Sequence, residues 1–174
     1  MLNFRIGYGY DVHQLVEGRD LWLGGIKIDH YKGAIGHSDS DVLIHAIIDA
    51  LLGAANLGDI GLHFPDTDPK YKDIDSKKLL FHSMQLLREH KYEIGNIDST
   101  VCLEKPKLKP HLDAMKKTLS EVMAIDHSAI SIKATTSEKM GFVGDESGIT
   151  ASAVALIYRI FENPAPGDNP ELLA

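Results

Sequence analysis

The sequence contains little of what several special classes of protein require. Its single cysteine, Cys102, excludes an intramolecular disulfide and suits a reducing compartment. Its apolar runs fall far short of the ~18 residues that a membrane-spanning helix needs. Basic residues are in the minority, since 18 Lys and Arg against 25 Asp and Glu leave a net charge of −7. We therefore expect no membrane span and no nucleic-acid partner, because an acidic chain repels a polyanionic backbone.

An apolar leader is missing from the amino-terminal segment MLNFRIGYGYDVHQLVEGRD, which soon turns polar and acidic. We therefore expect neither a signal nor a transit peptide, and a cytoplasmic protein unless a targeting segment was removed. With 44% hydrophobic and 25% charged residues, the chain has the composition of an ordinary globular domain. Its 174 residues predict one domain, which we place in residues 1–161, followed by a disordered tail in residues 162–174.

Hydrophobic periodicity predicts a single α+β domain with three helices and five strands. The predicted order is strand, strand, helix, helix, strand, helix, strand, strand. The predicted helices occupy residues 42–52, 76–90 and 112–123, and the predicted strands residues 4–12, 21–28, 94–103, 129–135 and 149–161. Such an order predicts a mixed sheet packed with helices. A long loop at residues 56–72 is of a kind that is usually functional.

Finer features of these elements are also predicted. The first two strands should pair as a hairpin, with a bulge at Gly24 and Gly25. The first helix is apolar around most of its circumference and should therefore be buried. Asp98 and Ser99 should face outward from the third strand. The last strand is apolar nearly throughout and should be covered on both faces.

Asp11 and His13 share one face of the first strand, because alternate residues of a strand point to the same side. His45, on the buried helix, offers a third donor, and an unpartnered imidazole there would be costly. Three such donors with one open position are typical of a catalytic zinc site. Asp41 and Asp49 lie one turn either side of His45 and could orient its ring. The spacing leaves open that His13 and His45 are unrelated hydrogen-bonded side chains.

Phosphate groups could bind at two further places. His37 and Ser38 precede the first helix with two aspartates, where N-terminal amides favour an anion; capping the helix is the alternative role. Residues 134–139 offer hydroxyls, amides and the Glu138 carboxylate, which suits a hard cation such as Mg²⁺. The alternative there is a Ser/Thr-rich capping turn. Residues 105–109 add three lysines, in what is otherwise a solvated surface turn.

Five segments taken together are more specific than any one motif: RIGYGYDVH, LGGIKI, KGAIGHSDSDVLIHAIIDALLGA, LGDIGLHFPDTDPKYKDIDS and IKATTSEKMGF. In this order they closely resemble the 2-C-methyl-D-erythritol 2,4-cyclodiphosphate synthase family of the non-mevalonate isoprenoid pathway, from about Phe4 to Ile160. The resemblance implies a homotrimer around a central sheet-lined cavity, with active sites at subunit interfaces. It also implies a metal-dependent cyclising lyase. That enzyme converts 4-diphosphocytidyl-2-C-methyl-D-erythritol 2-phosphate into the cyclic diphosphate and releases CMP.

The resemblance implies roles for individual residues. The implied metal ligands are Asp11, His13, His45 and Glu138. One Zn²⁺ per chain would bind at the first three, and a Mg²⁺ or Mn²⁺ that bridges the substrate diphosphate at Glu138. His37 and Thr136 would take part in catalysis. The implied substrate contacts are Asp11, His13, His37, Ser38, Asp59, Ile60, Gly61, Phe64, Pro65, Asp66, Thr67, Asp68, Leu103, Glu104, Lys105, Pro106, Lys107, Leu108, Lys109, Thr135, Thr136, Ser137, Glu138 and Phe142. Residues 103–109 and Thr135 would form a cytidine and phosphate pocket contributed by the adjacent subunit.

The sequence departs from the family's pattern after the last motif. Members often carry an arginine and glutamates there, associated with a central trimer cavity that can hold an isoprenoid diphosphate. Asp145 stands in the arginine's place in this chain, and Ser152 stands in that of a later glutamate. Because an aspartate repels a diphosphate, we expect the cavity to bind prenyl diphosphates weakly, with Phe142 surviving as an apolar wall.

Two other functions are open to the same residues. A zinc hydrolase of a nucleotide diphosphate would use the three ligands with water in the open position. A non-catalytic trimer would bind cytidine nucleotides or isoprenoids without turnover. The products distinguish them, because a cyclic diphosphate and CMP are formed together by the cyclising enzyme alone.

Overall fold

The computed structural model describes residues 3–161, and the predicted tail at residues 162–174 lies outside them. The strands within the described residues are β1 (Phe4–Glu17), β2 (Leu21–Leu23), β3 (Ile26–Ile28), β4 (Lys32–Ala34), β5 (Tyr92–Cys102), β6 (Ile130–Thr135) and β7 (Gly148–Arg159). Five of them form one sheet in the order β4-β1-β7-β5-β6, and β2 pairs with β3 separately. In the larger sheet β5 and β6 are parallel and the other neighbours antiparallel. The predicted mixed sheet is thereby confirmed.

The helices are α1 (Val42–Ala55), α2 (Ile60–His63), α3 (Ser76–Glu89), α4 (Leu112–Met123) and α5 (Gly141–Gly144). One-turn 3₁₀ helices occur at Pro69–Tyr71, Lys109–His111 and His127–Ala129. The three predicted helices correspond to α1, α3 and α4. Helix α1 ends three residues later than predicted, where Asn56 adopts the left-handed conformation that terminates many helices and donates its N–H to the Gly53 carbonyl. As expected, α1 is almost wholly buried.

Helix α1 lies unusually close to β1, because glycine and alanine occupy the contact. A Cβ atom added at Gly9 would lie 2.0 Å from the Ala46 carbonyl oxygen, and one at Gly7 would lie 1.9 Å from that of Ala50. No side chain fits at either position, so the helix backbone packs directly on the strand. The same face of β1 continues to Asp11 and His13. This close packing therefore brings α1 within reach of those two side chains.

The opposite face of the sheet is uncovered in the single chain. The helices pack on one face only in the described residues, where Ala151, Ala153 and Ala155 of β7 are buried. Val154 and Tyr158, on the other face of β7, are each 41% exposed. The expectation that the last strand is covered on both faces is therefore wrong for one chain, since its apolar residues alternate between a packed and an open face.

Strand pairing near the amino terminus also differs from the prediction. Strand β1 does not pair with residues 21–28; it pairs antiparallel with β7 from Phe4 opposite Tyr158 to Gln14 opposite Gly148. Residues 21–28 instead fold on themselves as the β2–β3 hairpin. Gly24 and Gly25 form its turn, with φ of 59° and 77°, so they are a turn and not a bulge.

The outward placement of Ser99 is wrong as well. Ser99 is buried and its Oγ donates to the Ser131 carbonyl, whereas Asp98 is half-exposed and pairs with Lys133. Neighbouring strand residues point to opposite faces, so Asp98 and Ser99 could not both face outward. Within the described part of the chain, the helices are all too short or too polar to cross a membrane.

Candidate metal centre and substrate pocket

Asp11 and His13 of β1 meet His45 of α1 in a tight group. The Asp11 Oδ2 atom lies 3.0 Å from His13 Nε2 and 2.9 Å from His45 Nδ1. The two ring nitrogens are 3.2 Å apart. The predicted convergence of these three side chains is confirmed, and the described residues contain no other such group of three potential ligands.

The geometry of this group suits a metal ion. Tetrahedral coordination with bonds of 2.0–2.2 Å places ligand atoms roughly 3.3 Å apart, so the observed separations need to widen by only a few tenths of an ångström. His13 Nδ1 lies 2.9 Å from the Ile35 carbonyl oxygen and donates its proton there. That bond leaves the Nε2 lone pair free to face the group, as a histidine ligand requires.

The charges within the group reinforce one another. Burial raises the pKa of Asp11, but hydrogen bonds from His13 and His45 outweigh it and hold that pKa well below its ordinary value. Burial lowers the pKa of His13, yet the hydrogen bond and charge of Asp11 raise it overall above its ordinary value. A metal ion binds neutral imidazole, so metal binding here must compete with the extra proton that Asp11 favours on the His13 ring.

The far side of the His45 ring contacts two serines. Its Nε2 atom lies 3.0 Å from the Ser76 Oγ and 3.1 Å from the Ser38 Oγ. Ser76 begins α3, 31 residues further along the chain. Sequence reasoning missed Ser76, because no local pattern connects the start of α3 to the first turn of α1.

The two aspartates predicted to orient His45 have other partners. Asp41 is fully buried at the N-cap of α1, where it accepts hydrogen bonds from the amides of Gly24, Gly25 and Ile44. Asp49 accepts a hydrogen bond from the amide of Ile60, at 2.8 Å. That prediction is therefore wrong: Asp41 holds the β2–β3 turn against α1, and Asp49 holds the start of α2.

A cavity of about 380 Å³ opens beside the metal-binding group. It is lined by His13, His37, Ser38, His45, Ile60, Gly61, Phe64, Pro65, Asp66, Tyr71, Ile74 and Leu79. The cavity thus joins the predicted residues of the GDIG and FPDTD segments to the metal-binding group. The Nε2 atom of His37 is buried and has no hydrogen-bond partner among the described residues. Tyr71, Ile74 and Leu79 were not singled out, although Tyr71 lies in the loop that was predicted to be functional.

Three of the substrate contacts predicted in residues 59–68 lie outside the lining of this cavity. Asp59 caps α2 by accepting from the Leu62 amide, and Asp68 caps the following 3₁₀ turn by accepting from the Lys70 amide. Thr67 lies in the turn between them. These residues shape the loop that carries Phe64 and its neighbours, which form the cavity wall.

A second cavity, of about 220 Å³, lies at the carboxyl ends of β5 and β6. Its lining residues are Leu103, Pro106, Lys107, Leu108, Lys109, Ala134, Thr135 and Thr136. Glu104 braces the adjoining turn, since its carboxylate accepts from the amides of Ser137 and Lys139. Lys105 is engaged in an ion pair with Glu146, at 2.8 Å. Of the three lysines in this loop, Lys107 and Lys109 are therefore the ones that face the cavity.

Glu138 lies on the same turn but outside the cavity lining. It has a φ of 54°, and its Oε1 atom accepts a hydrogen bond from the Thr136 Oγ1, at 3.2 Å. It does not belong to the Asp11 group within this chain. Phe142, at the start of α5, is about half-exposed and packs against Gly148, apart from both cavities.

The two cavities occupy the same end of the sheet but are separated by its width. Asp11 of β1 is paired with Ala151 of β7, which is paired with Val101 of β5, which is paired with Ala134 of β6. Three steps between strands of about 4.8 Å amount to roughly 14 Å. One chain therefore carries a metal-binding half-site and, separately, a lysine- and threonine-lined half-site.

Fold and site together define an α+β domain with an Asp–His–His metal-binding group beside a substrate-sized cavity. The sequence model of the YgbB family matches residues 4–158, and the chain belongs to this family. It is 64% identical over 159 residues to the 2-C-methyl-D-erythritol 2,4-cyclodiphosphate synthase of Parabacteroides distasonis, covering 91% of this chain and 99% of the relative.

Solved structures agree with this membership. The bifunctional IspDF of Campylobacter jejuni superposes with a TM-score of 0.88 at 40% identity, covering 92% of this chain and 43% of that larger one. A 2-C-methyl-D-erythritol 2,4-cyclodiphosphate synthase solved in a CDP-bound form superposes with a TM-score of 0.81 at 41% identity, covering 88% and 99%. The larger share of the bifunctional chain thus has no counterpart here.

Proposed function

We propose that this chain converts 4-diphosphocytidyl-2-C-methyl-D-erythritol 2-phosphate into 2-C-methyl-D-erythritol 2,4-cyclodiphosphate and CMP, in the cytoplasm. The observation that carries the proposal is the Asp11–His13–His45 group beside a cavity that several of the predicted substrate residues line. Relatives with this activity in their names match along nearly their whole length. A relative solved with CDP supports a cytidine nucleotide as part of the substrate.

The reaction is an intramolecular displacement at phosphorus. An oxygen of the 2-phosphate attacks the β-phosphorus, and the bond from that phosphorus to the oxygen bridging the α-phosphate breaks. CMP leaves with that oxygen, and no water is consumed. Because the nucleophile is already anionic, the protein's contribution is to fold the polyanion into a ring-closing pose and to offset its charge repulsion.

The chain's own residues suit this task. We assign the buried, unpartnered Nε2 of His37 as a hydrogen-bond donor to the phosphate in the cavity. Phe64 and Pro65 form a wall that excludes water, which matters because hydrolysis competes with ring closure. Thr136 lines the second half-site beside Lys107 and Lys109, and its hydroxyl donates to Glu138. Asp11, His13 and His45 would hold Zn²⁺ and Glu138 would hold Mg²⁺ or Mn²⁺, and the bound ions would supply positive charge that offsets the charge of the diphosphate.

The proposed active unit is a homotrimer with its active sites between subunits. The uncovered face of the sheet carries Ile6, Tyr8, Tyr10 and Val12 of β1, all between 45% and 64% exposed. Such a contiguous apolar face is typical of a subunit interface. A closed ring would place the lysine- and threonine-lined half-site of one chain against the metal-binding half-site of the next. That arrangement accounts for two half-sites that one chain keeps roughly 14 Å apart.

Incubation of the protein with the diphosphocytidyl substrate, followed by phosphorus NMR, tests the activity. We expect equal formation of the cyclic diphosphate and CMP. Linear phosphates as products would instead support the hydrolase, and unchanged substrate would support a binding protein. Native mass spectrometry combined with metal analysis tests the assembly, for which we expect one zinc per chain in a trimer.

A further inference from the structure

The contact between His45 and Ser76 continues to a third residue, Asp39. The Asp39 carboxylate accepts hydrogen bonds from both the backbone amide and the hydroxyl of Ser76. An ionised carboxylate has no proton to give, so the Ser76 hydroxyl must be the donor in the second bond. The direction of this hydrogen bond is thereby determined by chemistry alone.

The direction of the next hydrogen bond follows from it. A hydroxyl has one proton, and Ser76 gives that proton to Asp39. Ser76 Oγ can therefore only accept from the His45 Nε2 atom, 3.0 Å away. The Ser38 Oγ lies 3.1 Å from the same nitrogen and accepts from the Ser40 amide, and its own proton can go to the Ser76 Oγ, 3.5 Å away, which leaves Ser38 able to accept from His45 as well. The chain of bonds thus favours the form of His45 that carries its proton on Nε2.

At the opposite edge of the His45 ring, the Asp11 carboxylate favours the other tautomer. Asp11 Oδ2 lies 2.9 Å from His45 Nδ1, so without opposition this carboxylate would draw the imidazole proton onto Nδ1. A proton on Nδ1 occupies the lone pair with which His45 would bind a metal ion. His13 escapes this conflict because its Nδ1 proton is held by the Ile35 carbonyl. The His45 proton is held away from Nδ1 only if a hydrogen-bond acceptor lies next to the Nε2 atom.

We propose that Ser76 and Asp39 are positioning residues, which keep the His45 proton on Nε2 and leave Nδ1 open toward Asp11 and His13. This inference rests on the zinc site of the proposed function. Ser76 is wholly buried, so water does not compete for its hydroxyl. The same contacts anchor the start of α3, where the Asp39 amide donates to the Ile74 carbonyl. The metal-binding group and the loop before α3 are therefore held by one set of hydrogen bonds.

Zinc affinity, measured by competition with a chromophoric chelator, tests the role of Ser76. Loss of a group that orients a ligand typically weakens metal binding about 10- to 100-fold, and we expect a loss in this range for Ser76→Ala. Ser83→Ala is the matched control, because Ser83 is also fully buried on α3 and donates to a helix carbonyl. Equal zinc affinity in the two variants would overturn the proposal.

The carboxylate is tested with its own control. Asp39→Asn replaces one of the two accepting oxygens by a donating NH2 group, so the Ser76 hydroxyl is no longer bound to give its proton to residue 39 and can donate to His45 Nε2, which favours the wrong tautomer. We expect weaker zinc binding than in Asp75→Asn, which alters the N-cap of α3 and leaves the hydrogen bonds among Asp39, Ser76 and His45 in place. Equal affinities in these two variants would show that Asp39 serves only the local backbone.

A spectroscopic measurement separates positioning from simple structural support. In metal-free protein, nitrogen-15 NMR of the neutral His45 ring reports how its proton is shared between Nδ1 and Nε2. We expect the Nε2 form to be more populated in the parent chain and in Ser76→Thr, which retains a hydroxyl, than in Ser76→Ala. If the proton of His45 is shared between Nδ1 and Nε2 identically in the parent chain and in Ser76→Ala, the proposed role of Ser76 is refuted. If the parent chain binds no zinc at all, the proposed function fails instead, so the two failures are distinguishable.

Discussion

The two cavities that we propose as halves of one active site differ in how far a single chain assembles them. The Asp11 group lies between a central strand and a buried helix, and its three donors already face one another within about 3 Å. The cavity at the ends of β5 and β6 is lined by loop residues and the last residues of β6, and the carboxylates of Glu104 and Glu138 beside it accept hydrogen bonds within the adjoining turn. The comparison indicates that a single chain assembles the metal-binding group by itself, whereas in the proposed trimer nucleotide binding and catalysis would depend on a neighbouring copy.

The largest effect on zinc content and activity should come from removing a ligand of the metal-binding half-site. His45→Ala takes away one of three donors, so we expect loss of zinc and of cyclising activity to background while the trimer persists, because α1 can bury alanine. Metal analysis and native mass measure both properties. His82→Ala, which alters an exposed histidine of α3, is the control. A full zinc complement in His45→Ala would contradict the assignment of this ligand.

The second-largest effect should come from disrupting the open face of the sheet. In the proposed trimer this change separates the metal-binding half-site of one chain from the lysine- and threonine-lined half-site of the next. Tyr8→Glu places a charge on a residue that is 64% exposed in one chain but buried in the proposed trimer. We expect monomers that still bind zinc but have lost activity, measured by native mass, metal content and product formation. Phe81→Glu alters a half-exposed residue of α3 and should change neither the mass, nor the zinc content, nor the activity. An active monomer would show that each chain has a complete site.

Disturbing the packing of α1 tests the metal-binding half-site alone. In Gly9→Ala the new methyl group would lie 2.0 Å from the Ala46 carbonyl oxygen. We expect a loss of about 3 kcal/mol in the free energy of unfolding, because the helix must move away from β1. Zinc affinity should fall as His45 moves with it. Gly53→Ala is the control, since open space surrounds that position and alanine favours a helix by about 0.5–1 kcal/mol.

The smallest effect should come from the exposed half-site. Glu138→Gln retains the shape of the side chain but removes the charge that would hold a divalent ion. We expect normal zinc content and a lower rate whose dependence on Mg²⁺ concentration is lost, measured in steady-state assays. An unchanged Mg²⁺ dependence would count against Glu138 as the ligand of a second ion.

Local sequence patterns predicted much of this molecule. The three long helices were located within a few residues, because apolar spacing and capping act over one or two turns. The Asp11, His13 and His45 group was also predicted, since strand alternation pairs the first two and a buried imidazole needs partners. The pairing of β1 with β7 was missed, because nothing in either strand specifies a partner some 140 residues away.

The donor set and the helix that delivers it were determined by the sequence itself, because residue chemistry and short-range periodicity are local properties. The tertiary structure alone decided which serine and aspartate hold His45, that Asp41 and Asp49 do not, and that one sheet face stays open. These outcomes depend on contacts between segments far apart in the chain. Their energies come from packing and hydrogen-bond geometry, which no single segment encodes.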